Sequence, residues 1–153
     1  YSLRGFLPGG GSTDFLVEEH LDLAMDYDTI GKACSRMGTG TMIILDDKTC
    51  PVGFVKNLIG FFARESCGFC TPCRDGLPWS EQVLDDLEHG RGRDEDLETL
   101  RRQVAFIGAI GNTHCALAPG AMEPLQSALK YFREDFEAHS RGERCSYCDG
   151  GRG

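Results

Sequence analysis

The chain has 153 residues, 41% hydrophobic and 26% charged, with 16 basic residues against 24 acidic ones and a net charge of −8. That length can bury a hydrophobic core without staples, the composition is globular rather than disordered or fibrous, and the negative balance disfavours phosphate backbones and anionic lipid, so no nucleic acid is expected as a partner. The longest apolar stretch, residues 52–63, is interrupted by Lys56 and Asn57 and falls far short of the roughly 20 apolar residues that cross a bilayer, so no direct membrane insertion is expected.

The first residue is Tyr1, with no basic or apolar leader. No secretory signal is recognisable, and the chain reads as a fragment. Residues 1–48 have a mixed pattern: an extended start, a turn at Pro8-Gly9-Gly10-Gly11, a short helix over 29–37 and an apolar run over 41–45. That run, Thr-Met-Ile-Ile-Leu between Gly40 and Asp46-Asp47, has the length and residue types of a strand. This part reads as a piece of a small α+β domain.

From residue 51 the period becomes helical. Val52, Val55, Leu58, Ile59 and Phe62 recur at steps of three and four, and Pro51 stands where a first turn tolerates it. A second helix is predicted over about 78–89, with Trp79, Val83, Leu84 and Leu87 on its buried side and Gly90 as its stop. Asp94 is placed to cap a third helix carrying Leu97, Leu100, Val104 and Ile107. A fourth, over about 121–139, carries Met122, Leu125, Leu129, Phe132 and Phe136. Four amphipathic helices with short connections pack as a bundle. The expected fold class is therefore mainly α, a four-helix bundle over 49–140 preceded by the α+β part over 1–48. Residues 141–153 are rich in Gly and charge, without periodicity, and read as a flexible tail.

Eight cysteines are present, and three of them, Cys67, Cys70 and Cys73, fall at intervals of three. Gly68 and Pro72 disfavour a regular helix there, so the loop can wrap with its sulfurs converging. Residues three apart form a disulfide only with strain, and three thiols leave one over. Zinc sites usually use paired Cys-x2-Cys units, whereas Cys-x2-Cys-x2-Cys with a remote fourth cysteine is the spacing of cubane iron–sulfur clusters. Arg74-Asp75-Gly76 follows directly, so the fourth ligand must come from elsewhere. Cys115 is the candidate, in the turn-rich 112–120 connection that two antiparallel helices would return to the mouth of the bundle. Together Cys67, Cys70, Cys73 and Cys115 form the candidate site for one [4Fe–4S] cluster. Its neighbour His114 is the alternative ligand, since imidazole replaces thiolate in some clusters. The alternative function is a structural zinc module that joins subunits and has no redox role.

Other residues read more plainly. Cys34, on the predicted helix over 29–37, and Cys50, at a helix start, are expected to be structural, and Trp79 to be core. For Cys145-Ser146-Tyr147-Cys148, half a zinc site, a redox pair and no role stay open. His20 is expected in a solvated loop, and His89 and His139 near helix ends, where a protonated ring meets the dipole favourably. Arg64 and Arg74 flank the cysteine loop, either as surface charge or as cations that raise a cluster's potential. Arg91, Arg93, Arg101 and Arg102 read as a solvated face.

The run over 61–79, with Glu65-Ser66-Cys67-Gly68-Phe69-Cys70-Thr71-Pro72-Cys73-Arg74-Asp75-Gly76, resembles the flavoprotein (NADH-binding) family of bacterial respiratory complex I, the F subunits of the NADH-quinone oxidoreductases. The run over 115–137, with Ala116-Leu117-Ala118-Pro119-Gly120-Ala121-Met122-Glu123-Pro124-Leu125-Gln126-Ser127, is similar to that family's last helix. The likeness covers about residues 8–139 and extends to diaphorase subunits of NAD-dependent hydrogenases and formate dehydrogenases. It implies a protein of three parts: a flavin and NADH domain, a β-grasp domain and a helical iron–sulfur domain. Residues 1–48 would be the C-terminal part of the β-grasp domain and 49–140 the [4Fe–4S] domain. FMN and NAD would bind only in the missing N-terminal part, because Pro8-Gly9-Gly10-Gly11 neither follows a clear strand nor opens a helix. The implied role is to relay single electrons from NADH-reduced FMN to further iron–sulfur clusters in other peripheral-arm subunits. The implied location is cytoplasmic, peripheral to the inner membrane. These residues alone would be inactive as an NADH dehydrogenase.

Overall fold

The computed structural model describes residues 2–143. The expectations for Cys145, Cys148 and most of the tail lie outside those residues. Among the described residues the chain is mainly α, with one small antiparallel sheet.

The sheet pairs β1 (Leu3–Leu7) with β2 (Ile43–Asp46), Phe6 facing Ile44 and Leu7 facing Ile43. β2 starts two residues later than its composition predicts, because Pro8 follows Leu7 and has no N–H to extend the ladder. Gly9 then passes so close to the carbonyls of Arg36 and Met37 that a Cβ would collide with backbone. The helix predicted over 29–37 is shorter and earlier, α1 (Tyr27–Lys32), because the Asp26 carboxylate accepts the Thr29 N–H at 2.7 Å as an N-cap. Cys34, expected on that helix, lies beyond it with φ +61 and is exposed.

The helical part comprises α2 (Pro51–Glu65), α3 (Leu77–Glu88), α4 (Asp96–Ile107), α5 (Leu117–Tyr131) and α6 (Arg133–Ser140). α2 packs against α3 and α5, and α4 against α5. Between them lies a core that includes Val55, Ile59, Leu77, Leu84, Leu100, Ile107, Ala121 and Leu125. Each buried leucine or isoleucine side chain there contributes about 1.5–3 kcal/mol.

Four expectations about the helices change. Trp79 is 57% exposed, because the buried stripe of α3 runs through Leu77, Ser80, Val83, Leu84 and Leu87 and leaves Trp79 to one side. Asp94 does not open α4; the buried Asp96 carboxylate accepts the Arg93 N–H at 2.8 Å and pairs with its guanidinium at 3.1 Å, and the helix begins there. The predicted fourth helix divides at Phe132 (φ −114, ψ 32), whose ring is buried edge-on against Phe15 under the Arg4 guanidinium. His139 meets no solvent: its ring is fully buried, with Nδ1 3.0 Å from the Leu87 carbonyl and Nε2 3.3 Å from Cys50 Sγ.

The first part of the chain is seated on α5 and α6. Ser127 Oγ accepts the Phe15 N–H at 2.8 Å, Gln126 donates to Asp14 at 2.7 Å, and Arg4 clasps Asp135 at 2.6 and 3.2 Å. Gly120, near the start of α5, packs against Ser12. These contacts hold α5, and with it the connection that carries Cys115, against the rest of the molecule.

Candidate metal centre

α2 ends because Ser66 turns to extended backbone (φ −66, ψ 141). Its hydroxyl then accepts the Gly68 N–H at 3.0 Å. Gly68 lies at φ +67, a left-handed conformation that costs a side-chain-bearing residue about 1–2 kcal/mol. The loop closes where the Cys70 carbonyl accepts the N–H groups of Cys73 and Arg74, at 3.1 and 2.9 Å. A wide π-helical turn, Pro72–Gly76, leads directly into α3. Such turns are rare and recur at functional sites. The Arg74 guanidinium reaches back over the loop to the Phe69 carbonyl and the Thr71 hydroxyl, both at 3.4 Å.

The three thiols of this loop differ in depth. Cys73 is buried at 4% exposure and belongs to the core, Cys70 is half-buried, and Cys67 is exposed. The connection between α4 and α5 brings a second segment to the same place. The His114 backbone N–H donates to the Cys70 sulfur, which is the main reason that the Cys70 thiol ionises below its ordinary range; the N–H groups of Cys73 and of Cys70 itself also donate to it. Burial pushes the Cys73 thiol up, a hydrogen bond from the Ser66 hydroxyl opposes this, and the nearby Cys70 and Cys115 thiols push it further up. Residues remote in sequence, Cys70, Cys73 and Cys115, therefore act on one another electrostatically.

This donor set suits an iron–sulfur group. A buried thiol crowded by two others resists ionising alone, whereas a metal centre among them supplies the positive charge that makes thiolates the stable form.

The surroundings are aromatic. The Phe69 ring, 71% exposed, meets His114 edge-on, and both line an open depression with Cys70, Thr71, Pro72, Phe106 and Asn112. Ser66, Phe69 and the His114 N–H are participants that the cysteine spacing does not single out. The position of Ser66 directly before the first cysteine is the available signal; the other two depend on the approach of the second segment. Another cluster, Asp85, Glu88 and His89, also brings three ligand atoms close together. There the charge is already met by Lys56, 3.0 Å from Asp85 and 2.7 Å from Glu88, and by Arg91, 2.8 Å from Asp85.

Residues 53–139 match the family model described as NADH-ubiquinone oxidoreductase-F iron-sulfur binding region. The chain is 58% identical over 135 residues to the NADH-quinone oxidoreductase F subunit of Escherichia coli K12, covering 88% of this chain and 30% of that protein. It is 43% identical to the corresponding F subunit of Streptomyces coelicolor, covering 96% of this chain and 32% of that one. Among solved structures it is similar to a chain of an NAD+-reducing [NiFe]-hydrogenase in the H2-reduced state, with a TM-score of 0.77 and 27% identity over 90% of this chain and 23% of that one. The air-oxidised state gives a TM-score of 0.78 at 26% identity. The chain thus spans about a third or less of the length of these relatives.

Proposed function

Because this chain belongs to the family of NADH-ubiquinone oxidoreductase-F iron-sulfur binding regions, we propose that Cys67, Cys70, Cys73 and Cys115 together hold one [4Fe–4S] cluster. The observation that supports this most strongly is the contact of the Phe69 and His114 rings, centroids 5.1 Å apart, which brings the segment carrying Cys115, two helices away, against the cysteine loop. When bound, such a cluster accepts and releases one electron at a time.

The chain's own residues hold and shield that group. Cys73 anchors it to the core, while Cys67 and Cys115 lie at the surface, which keeps the site close to a protein edge. Backbone N–H groups of His114 and Cys73 stabilise negative charge on the Cys70 sulfur. The exposed Phe69 and Phe106 rings give the rim an apolar character.

In this reading residues 1–48 are the end of a β-grasp domain. Residues 49–140 are a four-helix iron–sulfur bundle in which α6 continues α5 beyond the break at Phe132. The parent protein belongs to an NADH-quinone oxidoreductase, with FMN and NADH bound in its other parts. Electrons leave toward iron–sulfur clusters of neighbouring peripheral-arm subunits on the cytoplasmic side of the membrane. No helix among the described residues is long and apolar enough to cross a membrane.

The test is anaerobic reconstitution with iron and sulfide, followed by assays of iron, sulfide and zinc and by electron paramagnetic resonance. A brown protein with about four irons per chain and a reduced-state signal is expected. A colourless chain that holds one zinc overturns the reading in favour of a structural module. Turnover of NADH by these 153 residues alone would overturn the assignment of flavin and nucleotide to the rest of the parent protein.

A further inference from the structure

A single residue meets the cysteine loop before, at and after Cys70. Arg74 follows directly on Cys73, within the wide turn Pro72–Gly76. Its backbone N–H donates to the Cys70 carbonyl at 2.9 Å. Its guanidinium donates to the Phe69 carbonyl and to the Thr71 hydroxyl, both at 3.4 Å. Phe69, Cys70 and Thr71 are thus all bonded to the same residue, and the positive charge lies across the backbone that carries a half-buried candidate ligand. A guanidinium suits this place because its planar fork donates in several fixed directions and never loses its charge. Asp75 is its acidic partner at 3.4 Å, but both side chains are more than half exposed, so water weakens the pair and leaves the charge of Arg74 only partly offset.

We propose that Arg74 is a positioning residue for the electron-transfer site, which fastens the loop around Cys70 and sets a fixed positive charge beside the cluster, raising its reduction potential. This rests on the reading that the four cysteines hold a cluster. Reduction adds negative charge, so a cation held close by stabilises the reduced form more than the oxidised one. The chain as a whole, with a net charge of −8, acts in the opposite sense. The contribution of Arg74 is modest in size, because solvent and salt screen a half-exposed guanidinium.

The experiment uses the chain reconstituted anaerobically, as wild type, Arg74→Met and Arg74→Lys, with iron assays and a redox titration followed by electron paramagnetic resonance at low and high salt. Arg74→Met loses the charge and the fork, and should retain its iron while the midpoint potential falls. An exposed charge corresponds to roughly a threefold change in the one-electron equilibrium, which is about 28 mV. That difference from wild type should shrink as salt rises. Arg74→Lys keeps the charge without the fork and should stay closer to the wild-type potential than Arg74→Met does. If Arg74→Met loses its iron, Arg74→Lys decides: iron retained at the wild-type potential supports the role of the charge, and any other result overturns it. A fully loaded Arg74→Met protein with unchanged potential, or an equal fall in both variants, also overturns it while leaving the cluster intact. A wild-type chain that takes up no iron defeats the cluster reading itself, and the role of Arg74 with it.

Discussion

Phe69 and His114 stand edge to face, with ring centroids 5.1 Å apart and planes at 75°, and so join the cysteine loop to the separate segment that carries Cys115. Such a pair is worth about 0.5–1.5 kcal/mol beyond its buried area. Phe69→Ala and His114→Ala should each lower thermal stability modestly, and a double-mutant cycle should return a coupling of that size. Additive effects would mean that the rings are neighbours without mutual stabilisation.

Cys115 and His114 are adjacent, but the two side chains have different surroundings: the His114 ring is against Phe69, while the Cys115 thiol acts on Cys73. Cys115→Ala should yield an unstable or three-iron cluster, and His114→Ala should keep four irons with nearly the same reduced-state spectrum. Iron counts and electron paramagnetic resonance on both variants test this. The reverse pattern would make His114 the ligand.

The buried pair Cys50 and His139 predicts a large effect far from the cysteine loop. The Leu87 carbonyl can only accept, so His139 Nδ1 carries the proton, and Nε2 accepts from the Cys50 thiol. His139→Ala takes away the side-chain donor to that carbonyl, which keeps only the Gly90 N–H at 3.1 Å, and opens a cavity where α2, α3 and α6 meet, a loss on the order of 3 kcal/mol. Cys50→Ser retains a donor and should cost less. Melting curves of the two variants give the order, and an equal loss in both would show that the hydrogen bond is secondary to packing.

Asp14 predicts a dependence on pH. Desolvation raises its carboxyl above the ordinary value, opposed by Gln126, Arg36 and Lys130. The folded state therefore binds the proton more tightly than the unfolded state. The resulting penalty is absent below the ordinary carboxylate pKa of 3.8 and complete once the pH has risen through the folded pKa. Asp14→Asn keeps an oxygen for Gln126 and removes the charge. It should stabilise the protein near neutral pH, with the advantage vanishing below about pH 4. Denaturant melts across that range test the sign, and an advantage that grew in acid would refute it.

Much of this protein is determined locally and is legible in its sequence. The spacing of Cys67, Cys70 and Cys73 around Gly68 and Pro72 specifies a turn of thiols, because backbone geometry over seven residues leaves few other uses for such a pattern. The apolar steps of α2 to α5 specify helices, because burial at a period of 3.6 residues needs no knowledge of the partner. What only the tertiary structure decided are choices between surfaces and between distant segments. Whether Trp79 or Ser80 faces inward depends on which stripe of α3 meets α2, and the stripe through Leu77, Leu84 and Leu87 excluded Trp79. Whether the last helix runs straight depends on Phe15 and Arg4, more than a hundred residues earlier, which trap the Phe132 ring where the helix breaks. Phe69 and the His114 N–H become part of the centre only when the α4–α5 connection folds back onto the loop. A hydrogen bond or ring contact between such segments leaves no period in either of them, so it exists only once the helices have brought the two together.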